Sequence, residues 1–234
     1  MTNNRFSKII NDINYILLPK VCFGCNTQLY RGEYILCTVC RNDLPITDYN
    51  FLEENEIDRI FYGRIPVKKA SSFLFFAQNG IVKQILHHLK YKNQEIVGEF
   101  IGHWYGEILK NEGGLEKIDV VIPVPLHHKK LKKRGYNQVE KFGQQIAKHL
   151  NVPFLKDFLI KTANTKTLTK KNRFNRWQSS KELYKVLNSE KLENKKILLI
   201  DDVITTGATI EACGSALLKI KGVELYVVTM AIVP

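Results

Sequence analysis

No apolar run in the 234-residue chain approaches the ~20 residues that a membrane-crossing helix needs. The first twenty residues, MTNNRFSKIINDINYILLPK, also lack the marks of a secretory leader. Asn11, Asp12 and Asn14 interrupt the apolar positions Ile9, Ile10, Ile13, Ile16 and Leu17, and no small-residue cleavage site follows. The spacing of those residues predicts an amphipathic helix, and the chain is expected in the cytoplasm. A G-x-x-x-x-G-K-[ST] loop is missing, as is G-x-G-x-x-G, which argues against a motor ATPase and a dinucleotide enzyme. There is no internal repeat and no low-complexity tract.

Acid is missing from two long windows. No Asp or Glu lies between Asp119 and Glu140, nor between Asp157 and Glu182. The first window holds Lys129, Lys130, Lys132, Lys133 and Arg134. The second holds Lys161, Lys166, Lys170, Lys171, Arg173, Arg176 and Lys181. With a formal net charge of +12, this distribution favours anionic partners such as phosphates or nucleic acid.

Residues 1–50 read as a small separate unit, in which Pro45 ends any helix. Residues 50–66 are acidic and irregular before turning apolar. Strands are expected at 70–77 (ASSFLFFA), 118–125 (IDVVIPVP), within KKILLIDD and at 223–233. Helices are expected at 81–92, 95–111, 137–150 and 208–222, the last stopped by Gly222. Residues 158–181 show no clean period and read as a long loop. Apolar strands alternating with helices of ten to fifteen residues imply an α/β domain, its parallel sheet covered on both faces, over residues 51–234.

Four of the five cysteines form two C-x2-C pairs, Cys22/Cys25 and Cys37/Cys40. Such knuckles deliver four thiolates to a tetrahedral zinc ion at about 2.3 Å, and four protein ligands leave no open position for catalysis. Two disulfides are the competing reading, which a reducing compartment disfavours. So small a unit has little core of its own, so the metal is expected to be structural. Cys213, alone within a helical stretch, reads as a core thiol. The pairs His87/His88 and His127/His128 do not suggest metal sites, because adjacent side chains point apart. His87 and His88 are expected to be one buried and one exposed.

The most informative stretch is ILLIDDVITTGATI (197–210). A buried strand carries Asp201 and Asp202 at its carboxyl end, where ligands bind in open α/β sheets. A turn then leads into a helix N-terminus, whose N–H groups and dipole suit an anion. Thr205, Thr206 and Thr209 add hydroxyl donors, and Gly207 with Ala208 keeps bulk away from the backbone. Carboxylates accept hydrogen bonds from a diol. Adjacent hydroxyls at one end and a phosphate at the other describe a ribose 5-phosphate. The plainer alternative is a capped helix with two solvent-facing acids.

IDDVITTGAT resembles the phosphoribosyl pyrophosphate (PRPP) signature of type I phosphoribosyltransferases. VIPVPLHHKKLKKRGYNQ (121–138) resembles a segment of the ComF family of competence proteins (ComF/GntX-like), which join a four-cysteine zinc module to a phosphoribosyltransferase-like domain. NTKTLTKKNRFNRWQ (164–178) is similar to that family's basic loop, although Gln178 and Ser179 stand where relatives commonly have an Asn. The resemblance implies PRPP bound with Mg2+ by Asp201, Asp202 and Thr205–Thr209. It also implies a pyrophosphate loop at Leu126, His127, His128 and Lys129, with Lys170 and Arg173 as further candidate cations. Displacement at the anomeric carbon through an oxocarbenium-like state would rest on positioning and charge stabilisation.

Three functions follow from the resemblance. The first is handling of imported single-stranded DNA in natural transformation, alongside competence-machinery proteins. Lys132, Lys133, Arg134, Arg176 and Trp177, with Tyr136 and Phe174, would then contact the strand. The second is a metabolic transferase passing ribose 5-phosphate to a nitrogen nucleophile. The third is a PRPP sensor without turnover.

Overall fold

The computed structural model describes residues 19–112, 115, 117–162 and 183–234. The helix expected over the first twenty residues lies almost wholly outside them, as do Lys166, Lys170, Lys171, Arg173, Phe174, Arg176, Trp177 and Lys181.

The described chain runs α1 (Thr38–Asn42), α2 (Glu56–Ile60), β1 (Val67–Phe75), α3 (Ile81–Tyr91), α4 (Ile96–Asn111) and β2 (Val120–Pro123). It continues with α5 (His128–Arg134), α6 (Glu140–Leu150), β3 (Leu159–Lys161), β4 (Tyr184–Val186), β5 (Lys196–Ile204), α7 (Ala208–Leu217) and β6 (Glu224–Ile232). The expected α/β architecture is present. Four parallel strands lie in the order β1-β6-β5-β2, and β3 pairs antiparallel with β4.

The central strands are apolar throughout because both faces are covered. Along β5 and β6, Leu198, Ile200, Tyr226, Val228 and Met230 face a layer built from α3, α4, α6 and the cysteine segment. Ile197, Leu199, Leu225 and Val227 face α7, α2 and the β3–β4 hairpin. Both sheet edges are sealed by short extended pieces. Thr47 N–H donates to the Phe73 carbonyl at 2.9 Å and Phe75 N–H to that of Pro45 at 2.8 Å. At the other edge Val121 N–H donates to Pro153 O at 3.0 Å, and Leu155 N–H to Val121 O at 2.9 Å.

One packing feature explains how α4 and α6 lie so close. Gly98, Gly102 and Gly106 form a stripe, four residues apart, on one face of α4. A Cβ at Gly102 would stand 2.5 Å from the Phe142 carbonyl oxygen, and one at Gly106 would stand 2.7 Å from the His149 ring. Only bare backbone permits that approach.

Three local differences from the sequence expectation have clear causes. The irregular 50–66 segment contains α2, started by a capping box. Asn55 Oδ1 accepts from Ile57 N–H at 2.9 Å, and Asp58 Oδ2 accepts from Asn55 N–H at 3.2 Å. The turn expected after VIPVP becomes α5, whose HKKLKKR sequence has no apolar period and is stopped by left-handed Gly135 (φ +86°). The helix at 208 ends at Leu217, and left-handed Gly222 (φ +71°) ends the following turn instead.

The cysteine segment is not isolated. Cys22, Leu29, Leu36 and Leu44 belong to the same apolar layer as α3 and α4. Phe23 stacks on His88 of α3 with ring centroids 4.5 Å apart, and Arg41 lies over the Trp104 ring at 5.0 Å.

Candidate functional site

The strand carrying the acids is longer than its sequence suggested. Strand β5 continues to Ile204 because β6 offers a partner as far as Ile232, and Asp201 pairs with Thr229 within the ladder. The acids are therefore inside a strand rather than beyond it, and each is only 8% exposed. Strand alternation sends them to opposite faces of the sheet.

Asp202 faces α3 and α6. Its Oδ2 lies 2.8 Å from Lys90 Nζ and accepts from Gln138 Nε2 at 2.9 Å. Its Oδ1 accepts from Val203 N–H at 2.7 Å. Asp201 faces α7 and the hairpin, where half-buried Lys161 meets buried Tyr184 and Cys213. Lys161 Nζ donates to Tyr184 Oη at 2.9 Å. Burial, then the charge of Asp202, pushes the Asp201 carboxyl up to about 8, against the pull of the Asp202 N–H, Lys90 and Lys161. Burial also lowers Lys161 and raises both Tyr184 and Cys213. Cys213 is the buried thiol expected from sequence.

The threonine turn follows directly. A crevice of about 50 Å³ is lined by Asp201 and by residues 203–210. Thr205, Thr206, Ala208 and Thr209 are exposed, while Gly207 is buried. Gly207 has φ +71°, and a Cβ there would stand 2.6 Å from Ile60 Cγ2. The turn is braced from behind by Arg64, whose Nη1 donates to Thr206 O at 2.6 Å and whose Nε donates to Glu211 Oε2 at 3.0 Å.

On the Asp202 side, a cavity of about 460 Å³ lies between α3 and α5. It is lined by Lys90, Tyr91, Asn93, Lys129, Lys130, Lys133 and Arg134, with no carboxylate among them. Of the sequence candidates, Lys129, Lys133 and Arg134 meet here, whereas Lys132 is exposed elsewhere on α5. His127 is buried, caps α5 by accepting from Lys129 N–H at 3.3 Å, and has its pKa lowered by burial and then by His128. Leu126 is half-buried, and His128 is exposed with its ring 4.1 Å from that of His127. His88 is buried and His87 exposed, as their adjacency on α3 implied.

The four cysteine sulfurs lie within 4.8 Å of one another. The Cys25–Cys37 separation is 3.7 Å, matching the ~3.8 Å edge of a tetrahedron with zinc–sulfur bonds of about 2.3 Å. Backbone N–H groups support the sulfurs: Gly24 and Cys37 donate to Cys22 Sγ at 3.3 and 3.2 Å, and Cys40 donates to Cys37 Sγ at 3.4 Å. Hydrogen bonds from Thr27 draw Cys25 down to about 6, and burial raises Cys40. The cluster can bind a metal such as zinc.

Sequence reasoning missed Lys90, Gln138, Tyr184 and Arg64. Gln138 lies at the start of the expected helix 137–150, which begins at Glu140 in the structure, and Lys90 lies in the last turn of the expected helix 81–92. Their local sequence carries no signal of the long-range contact each makes.

Residues 140–233 match the phosphoribosyl transferase domain family. Competence protein F of Haemophilus influenzae is 34% identical over 107 residues, 45% of this chain and 46% of that protein. The chain thus contains a region similar to phosphoribosyl transferase domains and is similar to competence proteins of the ComF type. Competence protein ComFC of Bacillus subtilis is 24% identical over 208 residues, covering 88% of this chain and 81% of its own. The DNA utilization protein YhgH of Escherichia coli K12 is 22% identical over 219 residues, covering 87% and 93%. The match to the Haemophilus relative thus spans less than half of that protein. The matched region takes in α6, the β3–β4 hairpin, β5, the threonine turn, α7 and β6, while the cationic cavity and the four-cysteine cluster precede it. Among the described residues, no helix is long and apolar enough to cross a membrane.

Proposed function

We propose that this protein is a ComF-family member that binds PRPP with Mg2+ at the end of β5 and serves in natural transformation, handling imported single-stranded DNA in the cytoplasm. One observation carries the ligand assignment: the acid pair joins two anion-suited places, the threonine turn beside Asp201 and the cationic cavity beside Asp202. A ribose with a phosphate at one end and a diphosphate at the other has that charge pattern. In this reading Asp201 and Asp202 hold the ribose hydroxyls. The N–H groups and hydroxyls of Thr205, Thr206, Gly207, Ala208 and Thr209 cradle the 5-phosphate. Leu126, His127, His128 and Lys129 form the pyrophosphate loop.

Mg2+, a hard cation that suits carboxylate and phosphate oxygens, would neutralise charge developing on the departing pyrophosphate. Lys129, with Lys170 and Arg173 from the basic window, adds fixed positive charge there. The hairpin of β3 and β4 brings the two ends of that window together beside Asp201, since Thr162 N–H donates to Leu183 O at 3.0 Å. The chain is read as a zinc-bearing segment, residues 1–50, joined to a transferase domain, residues 51–234. Zinc at Cys22, Cys25, Cys37 and Cys40 would fix the segment's fold and take no part in the reaction.

The DNA role rests on the names of the relatives and on the charge distribution. Lys132, Lys133, Arg134, Arg176 and Trp177 supply backbone contacts and a stacking ring. Fluorescence anisotropy with an oligothymidylate tests it. Affinity should fall steeply between 50 and 200 mM salt, and Lys133→Ala should reduce the log–log slope by about 1. Absence of binding at low salt contradicts the DNA role.

A further inference from the structure

Asp202 is heavily engaged by the protein. Its Oδ1 accepts from the Val203 N–H, and its Oδ2 accepts from Gln138 and is ion-paired with Lys90. With three partners for about four lone-pair sites, it keeps at most one free site, on Oδ1, so it cannot accept from both hydroxyls of a ribose diol without releasing a partner. Of those partners the Val203 N–H is fixed backbone, and Gln138 is buried. Lys90 is the one with freedom to move. Its side chain is 24% exposed, and it also lines the cationic cavity.

The cavity reaches Asp202 by a second route. Arg134, on its opposite wall, donates to Gln138 Oε1, and Gln138 Nε2 donates to Asp202 Oδ2. Arg134 also lies over the Tyr91 ring at 5.7 Å. Two cavity cations are therefore tied to one carboxylate, directly or through one amide. Three more, Lys129, Lys130 and Lys133, line the cavity, and no carboxylate lines it among the described residues. A multiply charged anion placed there competes with Asp202 for Lys90, because a diphosphate carries more charge than one carboxylate.

We propose that Lys90 is an exchange residue: the diphosphate of PRPP entering the cavity draws Lys90 from Asp202, which frees Oδ2 for the ribose hydroxyls. The inference rests on the PRPP reading above and adds an order to it. Diphosphate contact comes first and ribose contact follows, so a ligand without the diphosphate meets a blocked Asp202. Lys90 is then both an anion ligand and a positioning residue for Asp202.

Calorimetry on the full, zinc-loaded chain with Mg2+ separates the outcomes, using PRPP, inorganic pyrophosphate and ribose 5-phosphate as probes. Wild type should bind PRPP and pyrophosphate, and ribose 5-phosphate at least 100-fold more weakly than PRPP. Lys90→Met should weaken PRPP and pyrophosphate at least 10-fold while leaving ribose 5-phosphate equal or tighter, and Lys90→Arg should restore most of the loss. A merely structural role for Lys90 would weaken all three probes together and would overturn the exchange. So would pyrophosphate binding unchanged by Lys90→Met. Should Lys90→Met lose its cooperative unfolding transition, Arg134→Met carries the same test, with a several-fold selective loss of pyrophosphate expected. If wild type binds pyrophosphate but not PRPP, the PRPP reading itself fails, and the exchange with it. If Lys90→Met weakens oligothymidylate and not pyrophosphate, the cavity belongs to nucleic acid and the exchange is wrong.

Discussion

Asp201 and Asp202 are adjacent, chemically identical and equally buried, yet the two faces of the sheet treat them differently. On the α3 and α6 face, Asp202 is held by a lysine at 2.8 Å and an amide at 2.9 Å. On the α7 face, Asp201 sits near Lys161, Tyr184 and Cys213, and burial raises its pKa to about 8. One acid is held by direct polar partners, and the other is driven toward its neutral form by burial.

At a fixed pH of 7, the largest loss of stability from a single substitution should come from the Asp202 side. Lys90→Met leaves a buried carboxylate without its ion partner, which destabilises by 3–5 kcal/mol when the pair is fully enclosed. Because Lys90 keeps partial exposure, about 2–3 kcal/mol is expected, read by urea unfolding at pH 7. A double-mutant cycle with Asp202→Asn should return a coupling of about 1–3 kcal/mol, and a value near zero would remove the contrast between the faces.

Asp201 should show the opposite sign. A carboxyl whose folded pKa is raised binds its proton more tightly when folded. Its stabilising contribution is complete below the unfolded pKa of about 4 and is lost as pH rises through about 8. Stability should therefore fall across that window by up to about 1.4 kcal/mol per pH unit from this group. In Asp201→Asn that component vanishes, so the variant gains on wild type as pH rises. Thermal unfolding from pH 5 to pH 9 checks the slope, and parallel curves for the two proteins would refute the raised pKa.

The smallest change is expected at Lys161. Its amine pairs with a tyrosine hydroxyl and has no salt bridge to Asp201 among the described residues. Lys161→Met should alter stability by less than about 1 kcal/mol at pH 8, while raising the Asp201 pKa further. A loss as large as that for Lys90→Met would make the two faces equivalent.

Much of this arrangement was legible in the residues. The apolar strands forecast a parallel sheet buried on both sides, and that sheet is present. The C-x2-C spacing forecast a sulfur cluster, and the four sulfurs lie close enough together to hold a metal such as zinc. ILLIDDVITTGATI pointed to a strand, a turn and a helix, and only the strand's end was misjudged, because the pairing that extends it comes from β6. The missing parts depend on contacts between distant positions. Lys90 and Asp202 are brought together by the placement of α3, and Arg64 reaches the threonine turn across α2. A pattern of local periodicity has no access to such pairs. Other features were visible but unread. The Asn55–Asp58 capping box and the glycines at 98, 102 and 106 stand openly in the sequence, and each dictates a piece of packing.

The central claim is that the acid pair receives PRPP. Titration calorimetry with PRPP and Mg2+ on wild type and on Asp201→Asn/Asp202→Asn tests it most directly. The account predicts saturable binding to wild type and a loss of at least 100-fold in the double variant, with both proteins unfolding cooperatively. Equal affinity in the two proteins would contradict it.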